Sequence, residues 1–270
     1  MSRLQSRHWI FAGLFLVILI AMLLNLRLDI RISPYTQELY DYIENLPEGS
    51  VLMVSFDHEA SSLPEIRPLA LSVLRHVFKK GHRVIGVSLL SEGTVIGYRL
   101  TQKTAAEYGR EYGTDYVYLG FRPQYIAAIL AMGESIRETY PQDYRGVPYD
   151  QMPLLNEIDN YDDIAAVISI ADGSLTTHWM EYGQARYGVK VASAVTAAMV
   201  TTYDPYLASG QMLAMIGGLR GAAEYELLIE RDGGGARGML AQSTAHIYVI
   251  IMVIIGNVIY FRSRRRGGSA

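Results

Sequence analysis

Cysteine is absent from all 270 residues, which excludes disulfides, thiolate metal sites and cysteine nucleophiles together. Charge is sparse, with 19% Asp, Glu, Lys and Arg and a net charge of −3. No global basic field is therefore available for nucleic acid, and nucleic acid is not an expected partner. The chain contains no Walker A pattern, no HExxH and no GxSxG elbow, and its GxGxxG string, Gly233 to Gly238, falls in a glycine-rich linker and not between a strand and a helix. Dinucleotide or nucleotide triphosphate binding, zinc-protease chemistry and α/β-hydrolase serine chemistry thus lose their specific sequence support. No internal repeat of solenoid period is present.

What is present is apolar surface at both ends. A mean hydropathy of +0.12 is high for a chain of this length, and two terminal runs explain much of it. Ala245–Phe261 is apolar apart from His246, Gly256 and Asn257, and is followed by Arg262, Arg264, Arg265 and Arg266. A run of that length is at the lower limit for a hydrocarbon core about 30 Å thick. Tyr248 and Tyr260 stand near its ends, at the level that amphipathic rings favour. The alternative is a buried core helix with a solvated basic tail. Trp9–Leu24 is a second unbroken apolar run, preceded by Arg3 and Arg7. Leu23, Leu24, Asn25, Leu26 and Arg27 follow it in place of the small residues a signal peptidase needs, so an uncleaved helix is expected. The two tails carry Arg3, Arg7, Arg262, Arg264, Arg265 and Arg266, and the inner flanks Arg27, Arg31, Arg231 and Arg237. That asymmetry predicts both tails inside and the middle domain outside.

Between the runs the pattern is α/β. Val51–Phe56 reads as a strand buried on both faces. Ser62 with Glu65 gives a capping-box signature ahead of helical spacing from Leu63 to Phe78, and Gly81 follows as a stop. Further strands are expected at 83–90, 115–120, 164–171 and 189–195, with helices at 101–109, 123–140, 175–187 and 205–230. Residues 141–163 form an unusually long connection. Gly113 and Gly188 each precede a strand, where glycine can adopt the left-handed conformation that ends a helix. The expected fold is a Rossmann-like three-layer α/β domain with a mostly parallel five-stranded sheet, flanked by N- and C-terminal transmembrane helices. The expected segments are a cytoplasmic tail (1–8), a transmembrane helix (9–26), a connector with an amphipathic helix (27–50) and the α/β domain (51–230). A glycine-rich linker (231–244), a second transmembrane helix (245–261) and a basic cytoplasmic tail (262–270) complete the chain.

In such a sheet ligands bind beyond the carboxyl ends of the strands. Those ends carry Asp57, His58 and Glu59, then Glu92, Arg122, Asp172 and Ser174. Asp57, His58, Glu92 and Asp172 are the candidates for catalysis, and Asp57, Glu59, Arg122 and Ser174 for ligand binding. An imidazole between two carboxylates suits a metal or a general base. Consecutive residues of an extended chain point in alternate directions, however, so the triplet cannot face one ion. Ser174 is equally explained as an N-cap. His178 and the 20 tyrosines are explained first by packing, with a recognition surface as the second reading. No cofactor and no firm metal set follow from these residues.

Gly217, Gly218, Gly221 and Ala222 place small residues four apart in the expected 205–230 helix. This gives a surface for close approach of another helix, from a partner or from the domain itself. Several phrases also resemble an uncharacterised prokaryotic family of membrane-anchored proteins: Arg83-Val84-Ile85-Gly86-Val87, Gly210-Gln211-Met212, Gly217 through Glu226, and Arg237-Gly238-Met239 with Ala241-Gln242-Ser243. The resemblance implies an α/β domain between two terminal transmembrane helices, and no assigned activity. Two functions are then expected in order: an extracytoplasmic, non-catalytic binding or assembly module in a membrane protein complex or a self-associated form, or a membrane-anchored hydrolase, with or without a divalent metal, working at the strand ends. A cytoplasmic adaptor with both tails outside is the third topology.

Overall fold

The computed structural model describes residues 6–23 and 30–267. Arg3, the segment 24–29 with Arg27, and residues 268–270 lie outside the described residues, as do the side chains of Arg265 and Arg266. The chain divides into two compact units, one of Ile30–Gly235 and one of Met1–Asp29 with Ala236–Ala270.

The first unit is built on a six-stranded, wholly parallel sheet in the order β3-β2-β1-β4-β5-β6. In chain order its elements are α2 (Pro34–Glu44), β1 (Val51–Asp57), α3 (Leu63–Lys79), β2 (Arg83–Ser88), α4 (Ser91–Glu107) and β3 (Tyr116–Phe121). They continue with α5 (Tyr125–Glu134), α6 (Ile136–Thr139), β4 (Ala166–Ala171), α7 (Leu175–His178), α8 (Ala185–Tyr187), β5 (Val191–Val195), α9 (Val200–Ala208), β6 (Ala214–Gly217) and α10 (Gly218–Leu228). Trp179–Gln184 joins α7 to α8 as a π-helical turn. In the second unit are α1 (Ser6–Leu23) and nearly all of α11 (Gly234–Gly267).

Every residue of β1 is buried, because helices cover both faces of the sheet and alternation has no solvent side to report. Leu52, Val54 and Phe56 pack with Leu39, Leu69, Val73, Phe78 and Tyr225 on the face covered by α2, α3, α4 and α10. Met53 packs on the other face with Ile85, Ile129, Met132, Trp179 and Tyr203. The expected three-layer α/β arrangement is present. The sheet has one strand more than expected. The pattern read as one helix over 205–230 is α9, β6 and α10, with Gly217 and Gly218 at the strand-to-helix turn. A strand of four residues is too short to show a period of two against a helical background.

Gly113 and Gly188 have φ of +87° and +72°, as their positions before β3 and β5 require. The connection 141–163 lies along the outer edge of β3, where the Tyr144 N–H donates to the Tyr118 carbonyl at 2.9 Å. A carbonyl that the edge strand would otherwise leave open is thereby paired.

Two local expectations are corrected. Ser62 makes no side-chain cap on α3; its hydroxyl donates to the Glu59 carbonyl, and Glu65 accepts the amide of Ala197 at 2.7 Å. The linker expected over 231–244 is helical from Gly234 onward. In the second unit the Tyr248 hydroxyl donates to the Ile10 carbonyl at 2.9 Å. Gly234–Arg262 is the single helix among the described residues that is long and apolar enough to cross a membrane; the apolar part of α1, Arg7–Leu23, is shorter. The last residues of the expected first span, 24–26, lie outside the described residues.

Candidate functional site at the carboxyl edge of the sheet

Neighbouring strands β1 and β4 send their crossovers in opposite directions, so the order of the sheet reverses between them. Beyond their carboxyl ends is the crevice where doubly wound sheets take ligands. Asp57 ends β1 there and is 1% exposed. Its Oδ1 accepts from the Ser55 hydroxyl at 2.8 Å and the Leu89 amide at 2.9 Å. Its Oδ2 accepts from the Trp179 indole at 3.1 Å and the Ser169 hydroxyl at 3.3 Å. Burial pushes its pKa up, and these four donors oppose the shift. One carboxylate thus ties β1, β2, β4 and the π-helical turn together. Both oxygens are occupied by the protein's own donors, so the group acts as a structural junction.

His58 points the other way, as alternation along an extended chain demands. It is fully buried, with its ring edge-on to Phe56 and Nδ1 3.1 Å from the Glu59 carbonyl. Its Nε2 has no partner among the described residues. The Glu59 amide donates to Asp172 Oδ2 at 2.9 Å, and the Ala60 amide to Glu92 Oε2 at 3.1 Å. The first amides of the turn leading into α3 are where such folds seat a phosphate. Here the chain's own carboxylates occupy that position. Among the described residues no group of three His, Asp or Glu side chains could hold a metal ion. Ser174 stands at the start of α7 without a capping bond.

Arg122 lies just past β3. Its amide donates to the Ser88 carbonyl at 3.1 Å. Its guanidinium stacks 4.9 Å from the centre of the Tyr140 ring. Gln124, two residues on, has φ of +57°, a sparsely populated conformation for a side-chain-bearing residue. Tyr125 then stacks on His178 with centroids 4.6 Å apart. The structure therefore gathers Asp57, Glu59, Glu92 and Asp172 about the β1–β4 crevice, turns His58 to the opposite face, and leaves Arg122 beside Tyr140. Trp179 and Tyr140 were not among the candidates. The partner of Asp57 is 122 residues away, and nothing in local spacing marks such a pair.

The small-residue segment is buried. Gly218, Gly221 and Ala222 lie inside the unit, and Gly217 closes β6 in a half-buried position. What approaches closely is the chain's own exit segment. A Cβ on Gly235 would lie 2.6 Å from the Ala223 nitrogen and 2.8 Å from Ala222. The Glu226 carboxylate accepts the Gly235 amide at 2.8 Å. Two residues earlier, Glu224 accepts the Ser33 amide at 3.0 Å and the Thr36 hydroxyl at 2.9 Å, and bonds Arg220 at 2.9 Å. Helix α10 thus holds both the segment entering the α/β unit and the segment leaving it. At the opposite, amino edge of the sheet an open groove of about 810 Å³ is lined by Gln37, Asp41, Tyr42, Lys190 and Leu213 among others.

No protein-family model matches the chain, and no curated protein is similar to it. Among solved structures, the substrate-binding protein of a sugar ABC transport system from Bordetella parapertussis is similar over 69% of this chain and 82% of that one. Its identity is 12% and its TM-score 0.19, and a likeness that loose carries no inference about ligand or partner.

Proposed function

We propose that the chain is a membrane-anchored α/β binding or assembly module, a non-catalytic component of a membrane protein complex. The observation that carries this reading is the apolar exterior of the terminal unit. Trp9, Phe11, Phe15 and Leu16 on α1 are all more than half exposed, as are Ile254, Ile259 and Phe261 on α11. Water does not tolerate so long a contiguous apolar surface, whereas lipid does. The bond from Tyr248 to Ile10 supports treating the two helices as one membrane-embedded pair. At 1.5 Å per residue, α1 would reach roughly 27 Å, close to the hydrocarbon thickness of about 30 Å. The arginines at both tails support cytoplasmic ends and an extracytoplasmic α/β unit in a prokaryotic cytoplasmic membrane. The hydrolase reading has no specific observation in its favour, since the carboxylates of Asp57, Glu92 and Asp172 are held by the chain's own amides, hydroxyls and indole.

The test is a pair of measurements on the full chain in its membrane. After alkaline carbonate washing the protein should stay in the pellet. A reporter fused after Ala270 should be active only when it is one that works inside the cell. Extraction by carbonate sinks the anchoring, and an externally active reporter sinks the topology. Purification from gently solubilised membranes should recover a stoichiometric membrane partner or a second copy of the chain.

A further inference from the structure

We propose that Arg122 and Tyr140, at the carboxyl end of β3, form a recognition site for a small monoanionic carboxylate. The inference deepens the binding-module reading and rests on it. Tyr140 is 1% exposed, yet its hydroxyl has no hydrogen-bond partner among the described residues. A buried hydroxyl without a partner is costly, and native structures place such groups where something else satisfies them. Arg122 presents the same anomaly. Its Nε is buried without a partner, and no carboxylate of the described residues pairs with it. Its guanidinium is stacked on the Tyr140 ring instead.

The two anomalies belong to one place, since the guanidinium lies over the ring whose hydroxyl is unpaired. Both groups are donors. Burial holds the Tyr140 hydroxyl in its protonated form, against the opposing pull of Arg122. A guanidinium is always charged and never accepts. Two donors and one positive charge call for an acceptor with one negative charge. The two oxygens of a carboxylate match the guanidinium fork. A phosphate dianion is disfavoured by the acidic neighbourhood, because Glu92 follows the adjacent strand β2 and Asp172 stands beyond it in the same rim. The loop that carries Arg122 also holds Gln124, one of two left-handed non-glycine residues among those described, and such strain concentrates at ligand-binding positions.

Full-length protein in detergent micelles is titrated with sodium acetate and with sodium succinate, using sodium chloride at matched ionic strength as the reference and inorganic phosphate as the competing class. Thermal midpoint is the readout. Acetate should give a saturable rise beyond chloride. The half-saturating concentration should increase about tenfold or more in Arg122→Gln and several-fold in Tyr140→Phe, as expected for the loss of one charged and one neutral donor. Without anion, Tyr140→Phe should melt at the wild-type temperature or above it, because an unpaired hydroxyl has been removed. An equal response in wild type and both variants means nonspecific anion binding and overturns the site. Phosphate saturating below acetate overturns the carboxylate assignment. If Arg122→Gln fails to fold, Tyr140→Phe still decides. Failure of the anchoring reading would show in carbonate extraction, which this titration does not touch, so the two failures are distinguishable.

Discussion

Replacing Asp57 by alanine would leave two hydroxyls, an amide and an indole N–H without their acceptor in the core of the sheet. Each buried donor deprived of its partner costs about 1–3 kcal/mol. Partial relaxation still leaves Asp57→Ala destabilised by about 3 kcal/mol or more, which is on the order of 10 °C in melting temperature for a unit of this size. Thermal melts of wild type and variant check this, and a shift under about 3 °C would sink the junction role. His76 gives a pH signature of its own. Burial holds its pKa down at about 4, while its ring bonds Tyr225 and Glu44. The unfolded chain protonates this imidazole near its ordinary value and the folded chain does not, so stability should fall as pH drops from about 6.5 to about 4. Glu44, whose pKa is lowered to about 2 chiefly by its bond with Lys80, adds a further loss as pH falls from about 4.5 towards 2. Melts at pH 7, 5 and 4 should show the upper window shrink in His76→Gln. An unchanged pH slope in that variant would remove His76 as its cause. The sequence marked Asp57, Glu59, Glu92, Arg122 and Asp172 as strand-end residues, because strand ends follow from run length and turn residues. It gave Trp179 and Tyr140 to packing first, because the contacts that distinguish them are made only once the chain has folded.

At the scale of elements, α10 and the start of α11 behave as one device. The glycines at 233–235 read as a flexible linker by composition, but tertiary contact overrides composition there. Glu226 accepts the Gly235 amide, one of the unpaired donors at a helix N-terminus, and the backbone of Ala222 and Ala223 sits where a Cβ would be. Gly235→Ala must push the exit segment at Gly234–Gly235 away from α10. Glu226→Gln keeps the shape while removing the charge that favours a helix N-terminus. Both variants should be cut faster by trypsin at Arg231 and Arg237 than wild type, with Gly235→Ala the more affected. Equal cleavage rates would mean that α10 does not hold the exit segment. The same reasoning explains the missed strand β6. Its four residues are flanked by Gly217-Gly218, a pair that fits a helix stripe and a strand-to-helix turn equally well in one dimension.

For the molecule as a whole, the division into two units carries a separate consequence. Among the described residues, all of the strands and both buried apolar clusters fall within Ile30–Gly235, and the apolar exposed helices belong to the other unit. The periodicity of the middle region was legible because buried parallel strands are short apolar runs between helical patterns. The terminal runs were legible as apolar length alone, which says that lipid is suitable without saying how many spans there are. If the anchoring reading holds, removing the terminal helices removes the need for detergent and leaves the core intact. A fragment of residues 30–233 expressed alone should then remain in the supernatant of a high-speed spin and melt in one cooperative transition. It should keep the Asp57→Ala penalty at its full-length size, since no partner of Asp57 lies outside the fragment. A fragment that needs detergent or lacks a cooperative transition would show that the terminal helices serve the fold of the α/β unit and not only its placement. The melting temperature of the fragment should also sit a few degrees below that of the full chain, because the Gly235 amide that Glu226 accepts is no longer present.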